Sequence, residues 1–126
     1  MPLSIRSPLR RSSSEWIGFI PRYKDRRDGR LRILNRGSPE KVDLDPRVLF
    51  QKVFNLGAHG FILVHNHPSG RTDPSQADLI LTDHLMRLSL ALGVPLQGHA
   101  IVTRTKDFWI QLPEICDTDD PNDFQT

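Results

Sequence analysis

Cysteine is nearly absent from this 126-residue sequence: Cys116 stands alone, so no internal disulfide can form and a reducing, cytoplasmic setting is expected. Long apolar runs are missing too. The longest clean stretch, Phe61-Ile62-Leu63-Val64, falls far short of the roughly 20 apolar residues that a membrane-spanning helix needs. The N-terminal MPLSIRSPLRRSSS contains no acidic residue and lacks the apolar core of a secretory signal. Its Arg- and Ser-rich composition is like that of an organelle transit peptide, yet its prolines interrupt any amphipathic helix. Residues 1–14 are therefore expected to form a basic, flexible or edge-lying tail. Aromatic residues are few, 7% of the chain, and are not interleaved with the basic ones, which argues against a stacking platform for single-stranded nucleic acid. No internal repeat or long low-complexity tract is seen.

What remains is enough for one domain with one real core. A net charge of +2 conceals an asymmetry: residues 1–41 carry 11 Lys/Arg against 4 Asp/Glu, and residues 42–126 carry 6 against 11. A basic first third attracts phosphate or an acidic partner, and Arg26, Arg27 and Arg30 are the candidate contacts for nucleic acid or such a partner. A solvated basic hairpin explains the same residues.

The coarse reading gives β-β-α-β-loop-α-β-β. Residues 15–20 are short, apolar and β-prone; Asp28-Gly29 is a turn signal, and 31–34 is the returning strand. Asp45 can cap a helix, Pro46 suits its first position and Gly57 can close it, with Leu49, Val53, Phe54 and Leu56 as its apolar stripe. Residues 58–64 read as a strand covered on both faces. From Ser75 to Leu92, the residues Leu81, Leu85, Leu88 and Leu92 recur at helical period before Gly93 and Pro95. Two further strands are expected at 94–103 and 107–112, followed by an acidic tail over 113–126. The fold class is mixed α/β or α+β, one sheet packed by at least two helices.

The chemistry is concentrated in HNHPSGRTDPSQAD, residues 65–78. A strand continuing through His65 and His67 points both imidazoles to the same side. Pro68 ends the ladder, and the loop returns to a helix starting near Ser75, one turn before Asp78. Two neutral imidazoles and a carboxylate make the three-ligand set of a catalytic Zn2+, with the fourth position left for water. Such a site needs a general base outside the coordination shell. Glu15 is the acid set in an apolar strand context upstream of the motif. Ser75-x-x-Asp78 is equally a capping box, and the Ser75 hydroxyl can cap a helix and still donate to an oxyanion. His59, His84 and His99 have no partner at ligand spacing and are expected to be structural; Cys116 has no candidate base near it.

His65-x-His67-x7-Ser75-x2-Asp78 resembles the signature of the JAMM (MPN-plus, JAB1-type) zinc metalloproteases. The continuous HNHPSG after AHGFILV resembles the family's RadC-like branch, as do Arg36-Gly37-Ser38 and Asp45-Pro46-Arg47. The likeness runs from about residue 15 to 112. It implies a cytidine-deaminase-like JAB/MPN fold with two or three helices, and Zn2+ held by His65, His67 and Asp78. It also implies Glu15 as general base, Ser75 steadying the tetrahedral intermediate, and a peptide or protein substrate cleaved at an amide or isopeptide bond. Two departures stand out: the helix-hairpin-helix region usual in that branch is not seen in this sequence, and Gly98-His99 stands where the branch tends to have Asp-His. The competing expectation is a DNA-repair or mobile-element accessory module with a structural or vestigial zinc.

Overall fold

The apolar run at 61–64 becomes the middle of the sheet. The computed structural model describes residues 3–25, 27–37 and 43–114. Arg26, Ser38, Cys116 and the acidic stretch from residue 115 lie outside the described residues. The elements are α1 (Ser7–Arg10), β1 (Trp16–Arg22), β2 (Arg32–Arg36), α2 (Pro46–Asn55), β3 (Gly60–Asn66), α3 (Gln76–Leu92), β4 (Leu96–Val102) and β5 (Asp107–Ile110). The strands form one five-stranded mixed sheet in the order β2-β1-β3-β4-β5, the mixed α+β fold that the patterning predicts, with the short α1 added to its two helices. β1 is antiparallel to both β2 and β3, whereas β3 and β4 are parallel and joined through α3.

Every residue of β3 is buried, because the sheet is covered on both faces. On one face Ile17, Phe19, Phe61 and Leu63 pack against Leu49, Phe50 and Val53 of α2 and Leu85 of α3. On the other, Trp16, Ile20, Ile62, Val64 and Val102 meet Leu3, Ile5 and Leu9. The N-terminal segment expected as a flexible or edge-lying tail is therefore, from Leu3 onward, the cover of the second face. It is tied down at Arg10, whose guanidinium pairs with Asp107 at 2.7 Å and donates to the carbonyls of Thr103 and Leu3 at 3.1 and 3.0 Å. The Trp16 indole N–H donates to the Leu9 carbonyl at 2.9 Å.

The helix punctuation matches the sequence and the stripes differ slightly. Asp45 caps α2 by accepting from the Arg47 amide, and Gly93, at φ +76°, supplies the left-handed close of α3 that a side-chain-bearing residue adopts only with strain. In α2 the buried row is Leu49, Phe50 and Val53, while Phe54 faces outward. In α3 it is Thr82, Leu85 and Ser89, with Leu81 and Leu88 only partly buried and Leu92 exposed. The innermost row of α3 thus carries two hydroxyls. Ser89 Oγ accepts from the Leu96 amide at 2.8 Å, and Thr82 serves the site below. Strands β1, β2 and β3 each run about two residues beyond their expected C-terminal ends, so β3 includes His65 and Asn66. Among the described residues no helix is long and apolar enough to cross a membrane.

Candidate metal centre

Three features of chain direction bring the site together. β3 delivers His65 at its carboxyl end, on the face that α2 and α3 cover. Pro68 then turns the chain, with Gly70 N–H closing onto the His67 carbonyl at 3.0 Å and Gly70 at φ +84°. The returning loop opens α3 directly beside the strand end. Ser75 and Asp78 form a reciprocal capping box: the Asp78 amide donates to Ser75 Oγ at 3.0 Å and the Ser75 amide to Asp78 Oδ2 at 2.8 Å. The cap and the ligand are the same carboxylate. It stands 3.3 Å from His65 Nε2 through Oδ1 and 3.3 Å from His67 Nε2 through Oδ2. The two Nε2 atoms are 3.0 Å apart.

These separations suit a metal ion. Ligand atoms about 2.0–2.1 Å from a tetrahedral centre stand about 3.3 Å from one another, close to the 3.0 Å between the imidazoles and the 3.3 Å from each to its nearer Asp78 oxygen, Oδ1 for His65 and Oδ2 for His67. The His67 ring is already turned for ligation. Its Nδ1–H donates to the Arg71 carbonyl at 2.9 Å, leaving the Nε2 lone pair facing inward. One ligand atom from each of His65, His67 and Asp78 lies within 4.8 Å of the others.

Glu15 enters by strand register. Ile17 pairs with His65 across the antiparallel β1–β3 ladder, so the residue two places earlier comes abreast of His67 on the same face. Its flanks are held by Asn66, the residue between the two histidines of HNHPSG, to which the sequence pattern gives no role. Asn66 Oδ1 accepts from the Trp16 amide at 2.7 Å, and its Nδ2 donates to the Ser14 carbonyl at 2.9 Å. The Gly37 amide donates to the Glu15 carbonyl at 2.9 Å. Glu15, Ser75, His65, His67 and Asp78 all line one cleft of about 630 Å³, rimmed by Leu44, Arg71, Asp73 and Leu81.

The electrostatics divide the two carboxylates. Burial works against ionisation of Asp78, but the His65 and His67 imidazoles, which donate to it when protonated, outweigh it and hold the group well below the usual carboxylate range. Burial pushes the Glu15 carboxyl up, against the pull of His67 and His65. The hydrogen bond to Asp78 raises His67.

His99, expected to be structural like His59 and His84, is instead drawn into the site. Fully buried on β4, it places Nε2 2.8 Å from His65 Nδ1 and Nδ1 2.7 Å from Thr82 Oγ1. Thr82 Oγ1 lies 2.7 Å from the Asp78 carbonyl. The available signal was Thr82 one helical turn beyond Asp78; His99 required knowledge that β4 lies beside β3. His59 and His84 are exposed and do not line the cleft. The basic hairpin lies at the other end of β1, where Arg22 is paired with Gly60. There Arg27 stacks on the Tyr23 ring at 5.1 Å and Arg22 pairs with Asp28 at 2.9 Å, while Arg30 is exposed.

A fold and a site of this kind define a JAB-type domain. The chain matches the RadC-like JAB domain family over residues 24–112 and belongs to it. That match begins beyond Glu15, whose place in the cleft is known from the structure. Among curated proteins the chain is similar to a UPF0758 protein of Rhodobacter capsulatus, 39% identical over 72 residues, covering 57% of this chain and 34% of that protein. A UPF0758 protein of a Picosynechococcus strain is 41% identical over 73 residues, 58% of this chain and 30% of the relative. One from Gloeothece citriformis is 35% identical over 91 residues, 66% and 37% respectively. The chain thus spans about a third of the length of the curated relatives it matches.

Proposed function

We propose that this chain is a zinc-dependent hydrolase of the JAMM type, acting on an amide or isopeptide bond of a peptide or protein. The observation that carries the reading is the convergence of His65, His67 and Asp78 at ligand spacing in an open cleft that also holds Glu15 with a raised pKa and the Ser75 hydroxyl. Zinc fits the donor set, two imidazoles and one carboxylate, and when bound it supplies Lewis acidity and a water ionising near neutral pH.

The chain's own residues do the rest. Glu15 accepts the proton of the attacking water and returns it to the leaving amine. A carboxyl raised by burial is better matched to that shuttle than an ordinary one, because a base near the working pH both holds and releases a proton readily. Ser75 Oγ accepts from the Asp78 amide, and this leaves its own proton free to be donated to the oxyanion of the tetrahedral intermediate. Leu44 and Leu81 offer apolar contact to the substrate chain.

Glu15→Gln and His65→Ala variants separate the roles. With purified protein and a ubiquitin-type isopeptide or peptide library as substrate, Glu15→Gln is expected to keep its zinc and lose about 10²–10⁴ in kcat. His65→Ala is expected to lose zinc and activity together. Undiminished cleavage by metal-free protein, or by Glu15→Gln, would refute the reading.

A further inference from the structure

We infer that Thr82 and His99 form a directional hydrogen-bond relay that fixes His65 as the Nδ1–H tautomer, so that its Nε2 lone pair faces the cluster. The inference rests on the preceding reading only in that the cluster holds a metal.

The direction follows from counting protons. A carbonyl oxygen can only accept, so Thr82 Oγ1 donates its single proton to the Asp78 carbonyl at 2.7 Å. The hydroxyl is then an acceptor toward His99, and His99 Nδ1 carries the proton of their 2.7 Å contact. With no exposed surface, His99 is a neutral ring with one N–H, so its Nε2 is bare. The 2.8 Å contact to His65 is therefore donated by His65 Nδ1–H. The single ring proton of a neutral His65 is thereby held on Nδ1 and excluded from Nε2.

The relay has a consequence at the cluster. His67 is turned the same way by the Arg71 carbonyl. With both rings neutral, two ring lone pairs 3.0 Å apart then face a carboxylate at 3.3 Å from each, with no donor among them. A metal ion satisfies all three converging acceptors at once. The opposite rotation of Thr82, with its proton on His99 Nδ1, would reverse each bond in turn and leave a proton on His65 Nε2 where the metal must bind. The relay begins on the carbonyl of Asp78, itself a ligand, and ends on His65, so the two ligands from different elements are set against each other through a buried path. Thr82 and His99 are positioning residues and touch no reacting atom.

The test reads ring protons and metal affinity. In a long-range ¹H–¹⁵N spectrum of metal-free wild-type protein, His65 and His99 are expected to show protonated Nδ1 and bare Nε2. Zinc titration against a chromophoric chelator is expected to show Thr82→Val weakened about 10–100-fold, the range for loss of an outer-shell partner. His99→Gln, which places a carbonyl acceptor near the Nε2 position, is expected to stay closer to wild type than Thr82→Val. A proton on His65 Nε2 in the wild type, or zinc affinity within twofold of wild type for Thr82→Val, would overturn the relay. The spectrum needs no variant to fold. Absence of cleavage would defeat the hydrolase reading and leave the relay standing, whereas an Nε2-protonated His65 would defeat the relay alone.

Discussion

His99 shows how burial alone can set a pH dependence. Desolvation in the core, reinforced by the neighbouring His65, pushes its pKa down to about 3. In the unfolded chain the same residue titrates near 6.5. Between these values the unfolded state binds a proton that the folded state refuses, so stability rises with pH and falls as pH drops below about 6.5. The steepest contribution is about 1.4 kcal/mol per pH unit. His67, raised by Asp78, has the opposite sign and loses its contribution as pH climbs. Urea unfolding of metal-free protein at pH 7 and pH 5 is therefore expected to show a loss of stability in the wild type that His99→Gln largely removes. Equal losses in both would show that other groups set the acid limb. His65, His67 and Asp78 were legible at this scale because they lie within one short span with fixed strand and helix periods. His99 was not, since its importance depends on a strand pairing 34 residues away.

Among the elements, α1 and the segment before it illustrate what composition hides. An Arg-, Ser- and Pro-rich stretch reads as a tail, yet three apolar side chains spaced along it, Leu3, Ile5 and Leu9, suffice to cover a sheet face when Arg10 is anchored. Arg10 and Asp107 are only 15% and 7% exposed, so removing one partner strands the other. Arg10→Ala is expected to cost about 2–3 kcal/mol, read as a lowered midpoint in thermal or urea unfolding, with zinc content unchanged in the folded protein. A change below about 0.5 kcal/mol would make the segment dispensable. The buried row of α3 departs from its leucine period for a related reason. Hydrophobic periodicity picks out leucines, but the row against the sheet alternates Leu85 with Thr82 and Ser89, whose hydroxyls answer buried polar groups that no periodicity reveals. Element order and capping were legible because Asp45, Pro46, Ser75 and Gly93 carry backbone chemistry in their own side chains or in the lack of one.

Across the whole molecule the basic hairpin and the site are separated along the sheet. Glu15 and Arg22 stand at opposite ends of β1, about 20 Å apart at the rise of a strand. That exceeds the screening length at physiological ionic strength, about 8 Å. Charge reversal at Arg27 and Arg30 is thus expected to leave zinc affinity and turnover within about twofold of wild type. A contribution of the hairpin to nucleic-acid binding would appear instead as a shallower salt dependence, by about one unit of slope for each phosphate no longer neutralised. Salt titrations of DNA retention beside turnover assays measure both.

The antiparallel pairing of Ile17 with His65 has one more consequence. The three residues of the candidate metal centre come from a single stretch of chain, residues 65–78, but Glu15, the base of the proposed reaction, reaches them from fifty residues upstream. Slippage of the first strand by one residue would swing Glu15 to the opposite side of the sheet and leave the stretch that binds the ion untouched. On the proposed reading, full metal loading would then coexist with complete inertness, so zinc stoichiometry would report local assembly and only turnover would report that the distant strand is seated in register.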